Sequence, residues 1–141
     1  MVANPQNNPL RVILDSNILI SAYVFGGKLQ IVFQQVIEEK IEGITSQILI
    51  SEFLDVLRKK FVVAKSQLLE IKEEIDDTFE TVFPTQTFKV VKDNDDNRVL
   101  EAAIEGNCKY IVTGDKELLR LKSYQNVKIV TADQFLRLAK F

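Results

Sequence analysis

The chain has no histidine, no tryptophan and a single cysteine, Cys108, among its 141 residues. Without an imidazole there is no Ser-His-Asp triad, no Cys-His nucleophile pair, no histidine general base and no histidine-bearing zinc site. One cysteine forms neither an internal disulfide nor a thiolate cluster, and Cys108, with no base to activate it, reads as a small buried hydrophobe. Long apolar runs are missing as well: the longest, Ile18 to Phe25, is interrupted by Ser21 and is far too short to span a membrane. The stretch Met1 to Pro9 is polar and lacks the basic start and apolar middle of a signal peptide, so residues 1–10 read as a disordered lead-in to one domain over residues 11–141. The expected setting is a reducing cytoplasm, away from membranes. If the protein is an enzyme, its working groups are carboxylates, hydroxyls and the metals that carboxylates hold.

What is present is ordinary in bulk. Hydrophobic residues make up 46% and charged residues 27% of the chain, near globular averages, which excludes a disordered or fibrous chain. The formal net charge of -2 offers no long-range attraction to nucleic acid, so any such role rests on local charge.

The pattern is richer than the composition. Arg11-Val12-Ile13-Leu14-Asp15 is an almost uniform apolar run ending in an acid, as in a strand buried on both faces of a parallel sheet. After Gly26 and Gly27, the spacing of Leu29, Val32, Phe33, Val36 and Ile37 predicts a helix. An extended piece at Gly43 to Ser46 leads to a second helix, capped by Ser46, with Leu49, Phe53, Val56 and Leu57 on its buried stripe. A third helix follows Ser66, its period running through Leu68, Ile71, Ile75, Phe79 and Val82 to Pro84. Then short runs alternate with single helices: a strand over Thr87 to Val91, a helix over Asp95 to Glu105 closed by Gly106, a strand over Lys109 to Val112, a short helix over Asp115 to Leu121, a strand over Val127 to Val130 and a last helix capped by Thr131. This alternation predicts an α/β fold with a mostly parallel sheet, whose ligands bind beyond the carboxyl ends of the strands.

Acids stand at those ends. Asp15 terminates the first strand, and Asp115 follows Thr113-Gly114 after the strand over Lys109 to Val112. Asp96 shares a helix face with Val99, Leu100 and Ala103, and Glu52 borders the stripe of Leu49, Phe53 and Val56. Each has a plainer reading alone: Asp15 and Asp115 as helix N-caps, Glu52 as a solvated edge, and Asp93 to Asn97 as a polar helix start. Their coincidence in one chain points instead to a shared divalent cation, because inward carboxylates without a positive partner are costly and all-oxygen ligation suits magnesium or manganese. Phosphate-cradling G-x-G-x-x-G and G-x-x-x-x-G-K-[ST] motifs are absent. A receiver-like phosphoacceptor also carries acids at strand ends, but it wants an acidic pair where this chain has Asp15-Ser16-Asn17.

Together, Val12 to Asn17, Ser51-Glu52, Asp93 to Asn97 with Leu100 to Ala103, and Tyr110 to Asp115 resemble a PIN domain. More narrowly, they resemble the VapC-like toxin branch of toxin-antitoxin systems, over about Arg11 to Ala139. The resemblance implies a three-layer α/β/α sandwich and a Mg2+- or Mn2+-dependent ribonuclease acting on single-stranded RNA. Its four metal-holding acids match Asp15, Glu52, Asp96 (rather than Asp93 or Asp95) and Asp115, with Glu117 where relatives often carry a further acid. Asn17 and Thr113 match polar companions that orient ligands or water. Departures are modest: Asn94 stands where relatives tend to have proline, Ser16 replaces the commoner threonine, and Gly26-Gly27-Lys28 lacks a loop proline. Arg58, Lys59, Lys60, Lys65, Lys116 and Arg120 are candidates for touching the RNA backbone, against the plain alternative of a solvated surface. A cognate antitoxin and a homodimer are the partners the resemblance implies; the alternative within the family is a catalytically weak scaffold that binds RNA or protein.

Overall fold

In the computed structural model, which describes residues 9–139 apart from the side chains of Lys28 and Leu29, the apolar run ending at Asp15 is a central strand. The elements follow as β1 (Leu10–Leu14), α1 (Ser16–Val24), α2 (Lys28–Ile37), β2 (Ile41–Ser46), α3 (Gln47–Lys60), α4 (Lys65–Thr78) and β3 (Glu80–Val82), then α5 (Asn94–Glu105), β4 (Tyr110–Val112), α6 (Lys116–Leu121), β5 (Ser123–Tyr124), β6 (Val127–Val130) and α7 (Ala132–Ala139). Leu10, assigned to the lead-in from sequence, already pairs with Ile41, while residues 1–8 lie outside the described residues.

The six strands lie in the order β3-β2-β1-β4-β6-β5, and every pairing is parallel except that of β5 with β6. Parallel strands need covering on both faces, which explains the uniform apolar run of β1. Val12 and Leu14 pack on one side with Ile18, Val32, Phe53 and Phe135, from α1, α2, α3 and α7. Ile13 packs on the other with Val99, Leu100 and Ala103 of α5 and Leu118 of α6. The result is an α/β/α sandwich with a mostly parallel sheet. From β1 the chain steps outward to β2 and β3, then returns through α5 to lay β4 against the opposite edge of β1. That reversal opens a crevice at the carboxyl ends of β1 and β4, where ligands of such sheets bind.

Two sequence expectations fail around β3. The third helix stops at Thr78, and Phe79 leaves it in extended geometry, so Glu80–Val82 pairs with Ile44 to Ser46 instead of continuing the helical period to Pro84. The strand expected over Thr87 to Val91 does not form. This stretch instead runs along α5, whose side chains take up its backbone groups. Glu105 accepts from Thr85 N–H at 3.0 Å, Glu101 from Phe88 N–H at 2.7 Å, and Asn97 from Val90 and Val91 N–H at 2.9 and 3.0 Å. Asn97, Glu101 and Glu105 are four apart and so lie in one row on the helix. Their oxygens replace the neighbouring strand that the alternating sequence suggests.

Candidate active site

Asp15 sits at the end of β1, and its N–H donates to Val112 O at 3.2 Å, extending the β1–β4 ladder by one residue into the crevice. Its carboxylate is only 5% exposed. One oxygen caps α1 by accepting from Ile18 N–H at 3.0 Å, and the other accepts from the Thr113 hydroxyl. Thr113 in turn accepts from Asp115 N–H at 3.0 Å, and Asp115 caps α6 through Leu118 N–H at 2.9 Å. Thr113 thus links the two acids that end neighbouring strands.

The other acids approach from helices. Asp96 lies at the start of α5, with Val99, Leu100 and Ala103 buried on its face of the helix, as the spacing predicts. It is 9% exposed and its Oδ2 is buried without a hydrogen-bond partner. Glu52 reaches in from the middle of α3, whose first turn is capped by Ser46 through Leu49 N–H at 3.4 Å, and it accepts from the Ser16 hydroxyl.

Their electrostatics tie the acids to one another. Burial pushes Asp96 up to about 7, reinforced by the charges of Asp115, Asp93 and Asp15. Burial also raises Asp15; the Thr113 and Ile18 hydrogen bonds oppose it, and the Asp115 charge adds to it. Glu52 is raised by burial, with Ser16 opposing and Asp95, Asp15 and Asp93 adding. Like charges held together this way call for a cation. Among the described residues, no three acids, cysteines or histidines already stand as a ready-made metal-binding group. Caps and hydroxyls hold Asp15, Asp115 and Glu52 in place. The donor set is all-oxygen, and Asp96 Oδ2 lacks a partner. By that chemistry, Asp15, Glu52, Asp96 and Asp115 could hold a hard divalent cation.

The remaining expected residues divide. Thr113 is fully buried between the acids, as described. Asn17 is exposed, and it is its backbone N–H that supports the Asp15 carboxylate. Glu117 points to the chain before α5, accepting from Lys92 N–H at 2.8 Å. Of the basic candidates, Arg58 and Lys59 are exposed and ion-paired with Asp55 at 2.7 and 2.9 Å, and Lys60 and Lys65 are exposed on the α3–α4 hairpin. Arg58 is six residues beyond Glu52, about 9 Å along the helix axis. Lys116 is exposed directly after Asp115, and Arg120 donates back to Lys116 O at 3.4 Å.

Sequence reasoning overlooked the roles of Ser16 and Asn97. Ser16 holds Glu52, and Asp93 and Asp95, the acids set aside in favour of Asp96, add negative charge beside Glu52. Asn97, buried beside Asp96, also donates to Val91 O at 2.8 Å, completing three bonds to the preceding segment. Its signal was a row of polar residues, Asn97, Glu101 and Glu105, four apart along the helix.

Carboxylates from the end of β1, from α3 and α5 and from the β4–α6 turn, set where a mostly parallel sheet reverses direction, define an α/β protein with an acidic cleft. A family model described as PIN domain matches residues 11–117, and the chain belongs to that family. The uncharacterized protein MJ1680 of Methanocaldococcus jannaschii is 29% identical over 121 residues, 80% of this chain and 76% of its own. Among solved structures, a chain of VapBC-1 from nontypeable Haemophilus influenzae matches with a TM-score of 0.65 at 15% identity, covering 88% of this chain and 99% of its own. A chain of VapBC2 from Rickettsia felis, bound to a DNA fragment from their promoter, matches with a TM-score of 0.58 at 15% identity, covering 85% and 97%. At such identities the likeness is one of fold.

Proposed function

We propose that the protein is a metal-dependent endoribonuclease that hydrolyses single-stranded RNA, the toxin of a toxin-antitoxin pair. The observation that carries this reading is the set of four carboxylates at the β1–β4 crevice, in which the charges of Asp115 and Asp15 raise Asp96, that of Asp115 raises Asp15 and that of Asp15 raises Glu52, with one buried Asp96 oxygen lacking a partner. Asp15, Glu52, Asp96 and Asp115 would hold Mg2+ or Mn2+. Such an ion supplies neutralisation of the charge developing on the scissile phosphate and acidification of the attacking water. The chain's own work is positioning: Thr113 orients Asp15, Ser16 orients Glu52, and Asn97 and Glu117 fix the backbone that presents Asp96. Likeness to VapBC structures supports a cognate antitoxin. A homodimer belongs to the same reading, and light scattering of the purified chain checks it. No helix among the described residues is long and apolar enough to cross a membrane; a cytoplasmic setting is part of the proposal.

The deciding experiment incubates labelled single-stranded RNA with the protein, with and without Mn2+, beside Asp15→Asn and Asp96→Asn. Cleavage that needs the metal and both carboxylates supports the assignment. Metal-independent cleavage, or equal cleavage by the variants, overturns it; RNA binding without cleavage favours the inactive scaffold.

A further inference from the structure

A second hollow opens one helical turn from the acids, walled by the start of α3, the stretch after β3 and the middle of α5. Resting on the nuclease reading, we infer that it is a nucleobase subsite, holding the unpaired base that neighbours the scissile phosphate. Its volume is about 300 Å3, at the lower end of the roughly 300–1,000 Å3 typical of small-molecule sites.

Three features match a base and not a bare phosphate. The first is a ring face: Phe83 is 66% exposed on the rim and Ile48 is 56% exposed. An aromatic face held in water is a stacking platform for any base. The second is a polar wall. Arg98 pairs with Glu101 at 2.8 Å and donates to Phe88 O at 3.3 Å, yet its Nε is buried without a partner. The Glu101 and Phe88 bonds fix the guanidinium in the wall, and its accessible part offers N–H donors to a ring nitrogen or carbonyl oxygen of a base. Gln47 and Gln86 add side-chain amides that both donate and accept, as the edge of a base requires.

The third feature is position. Ile48 precedes Glu52 by four residues on α3, and Arg98 follows Asp95 by three on α5, so each wall lies about one turn, or ~5.4 Å, from a cleft acid. The loop carrying Phe83 is pinned to α5 at Thr85 and Phe88. The hollow is therefore preformed, and its occupant lies against the cleft.

The absence of native tryptophan supplies the test. Full-length Phe83→Trp carries one indole at the rim, and Val62→Trp, at a fully exposed position after α3, is the control. Both are titrated with AMP, GMP, CMP and UMP and with ribose 5-phosphate, without divalent cations, reading indole fluorescence. Saturable quenching of Phe83→Trp by at least one nucleotide, with no response to ribose 5-phosphate or in the control, supports the subsite. Quenching no greater than in the control overturns it. Cleavage assays add a second readout: Phe83→Ala raises KM for single-stranded RNA about tenfold, with the effect on KM rather than kcat. An unchanged KM in a wild type that cleaves overturns the subsite while leaving the nuclease reading intact. Quenching in a protein that never cleaves RNA overturns the nuclease reading alone.

Discussion

Asp15 and Asp115 each serve twice, capping a helix and bringing a carboxylate to the crevice, Asp15 directly after β1 and Asp115 in the turn after β4. The cap and site readings of the sequence are therefore compatible, since a carboxylate has two oxygens and a cap uses one. Asp96 has no such duty, and its raised pKa fixes the sign of a stability effect. With its folded value near 7 and an ordinary value near 3.9, the folded chain keeps a proton the unfolded chain has released between about pH 4 and 7. Stability contributed by this group therefore falls as pH rises through that window, and the whole penalty stands above it. Without divalent cations, thermal melts should show the wild-type midpoint declining from pH 5 to pH 8. Asp96→Asn should flatten that decline and melt a few degrees higher than wild type at pH 8, while losing cleavage. Mn2+ should raise the wild-type midpoint more than that of the variant.

At the scale of elements, two positions carry strong expectations. A Cβ on Gly43 in β2 would lie 2.5 Å from the Phe79 ring and 2.7 Å from Val36 Cγ1, so Gly43→Ala should cost about 1–3 kcal/mol in urea unfolding. Asn97→Ala would strip three bonds from Val90 and Val91 and should cost about 2–3 kcal/mol, and Asn97→Asp, which keeps both acceptor bonds but sets a buried carboxylate against Val91 O and beside Asp96, should cost at least as much at pH 8. These elements also show what sequence could reveal. β1, β4, α3, α5 and the caps Ser46, Asp15 and Asp115 were legible because their periods and caps are local. The end of α4 was not, since Ile75, Phe79 and Val82 keep a helical spacing although the last two leave the helix, and only pairing with β2 reveals the strand. Thr87 to Val91 alternates like a strand, but its partner is a row of helix side chains, which no periodicity reports. For the site, inward acids were visible from their neighbours; Ser16 was not, because its link to Glu52 joins residues 36 apart.

At the scale of the whole molecule, charge limits how RNA is held. Setting aside the four proposed ligands leaves 16 of the 20 acids against 18 basic residues, and Arg58 and Lys59 are already paired with Asp55. Four phosphate contacts, from the remaining candidates Lys60, Lys65, Lys116 and Arg120, would give a slope of about -2.8 in log affinity against log salt. RNA affinity measured by anisotropy should then fall about fiftyfold between 50 and 200 mM salt. The strand order has a mechanical consequence too. Asp15 and Glu52 belong to the half of the chain that builds β1, β2 and β3; Asp96 and Asp115 belong to the half that builds β4, β6 and β5. The cleft is the seam between two half-proteins, two of the proposed ligands on each bank, and the β1–β4 ladder is its stitching. A cation shared across it would act as a rivet, slowing hydrogen exchange at Asp15 and Thr113 amides more than in strands far from the join.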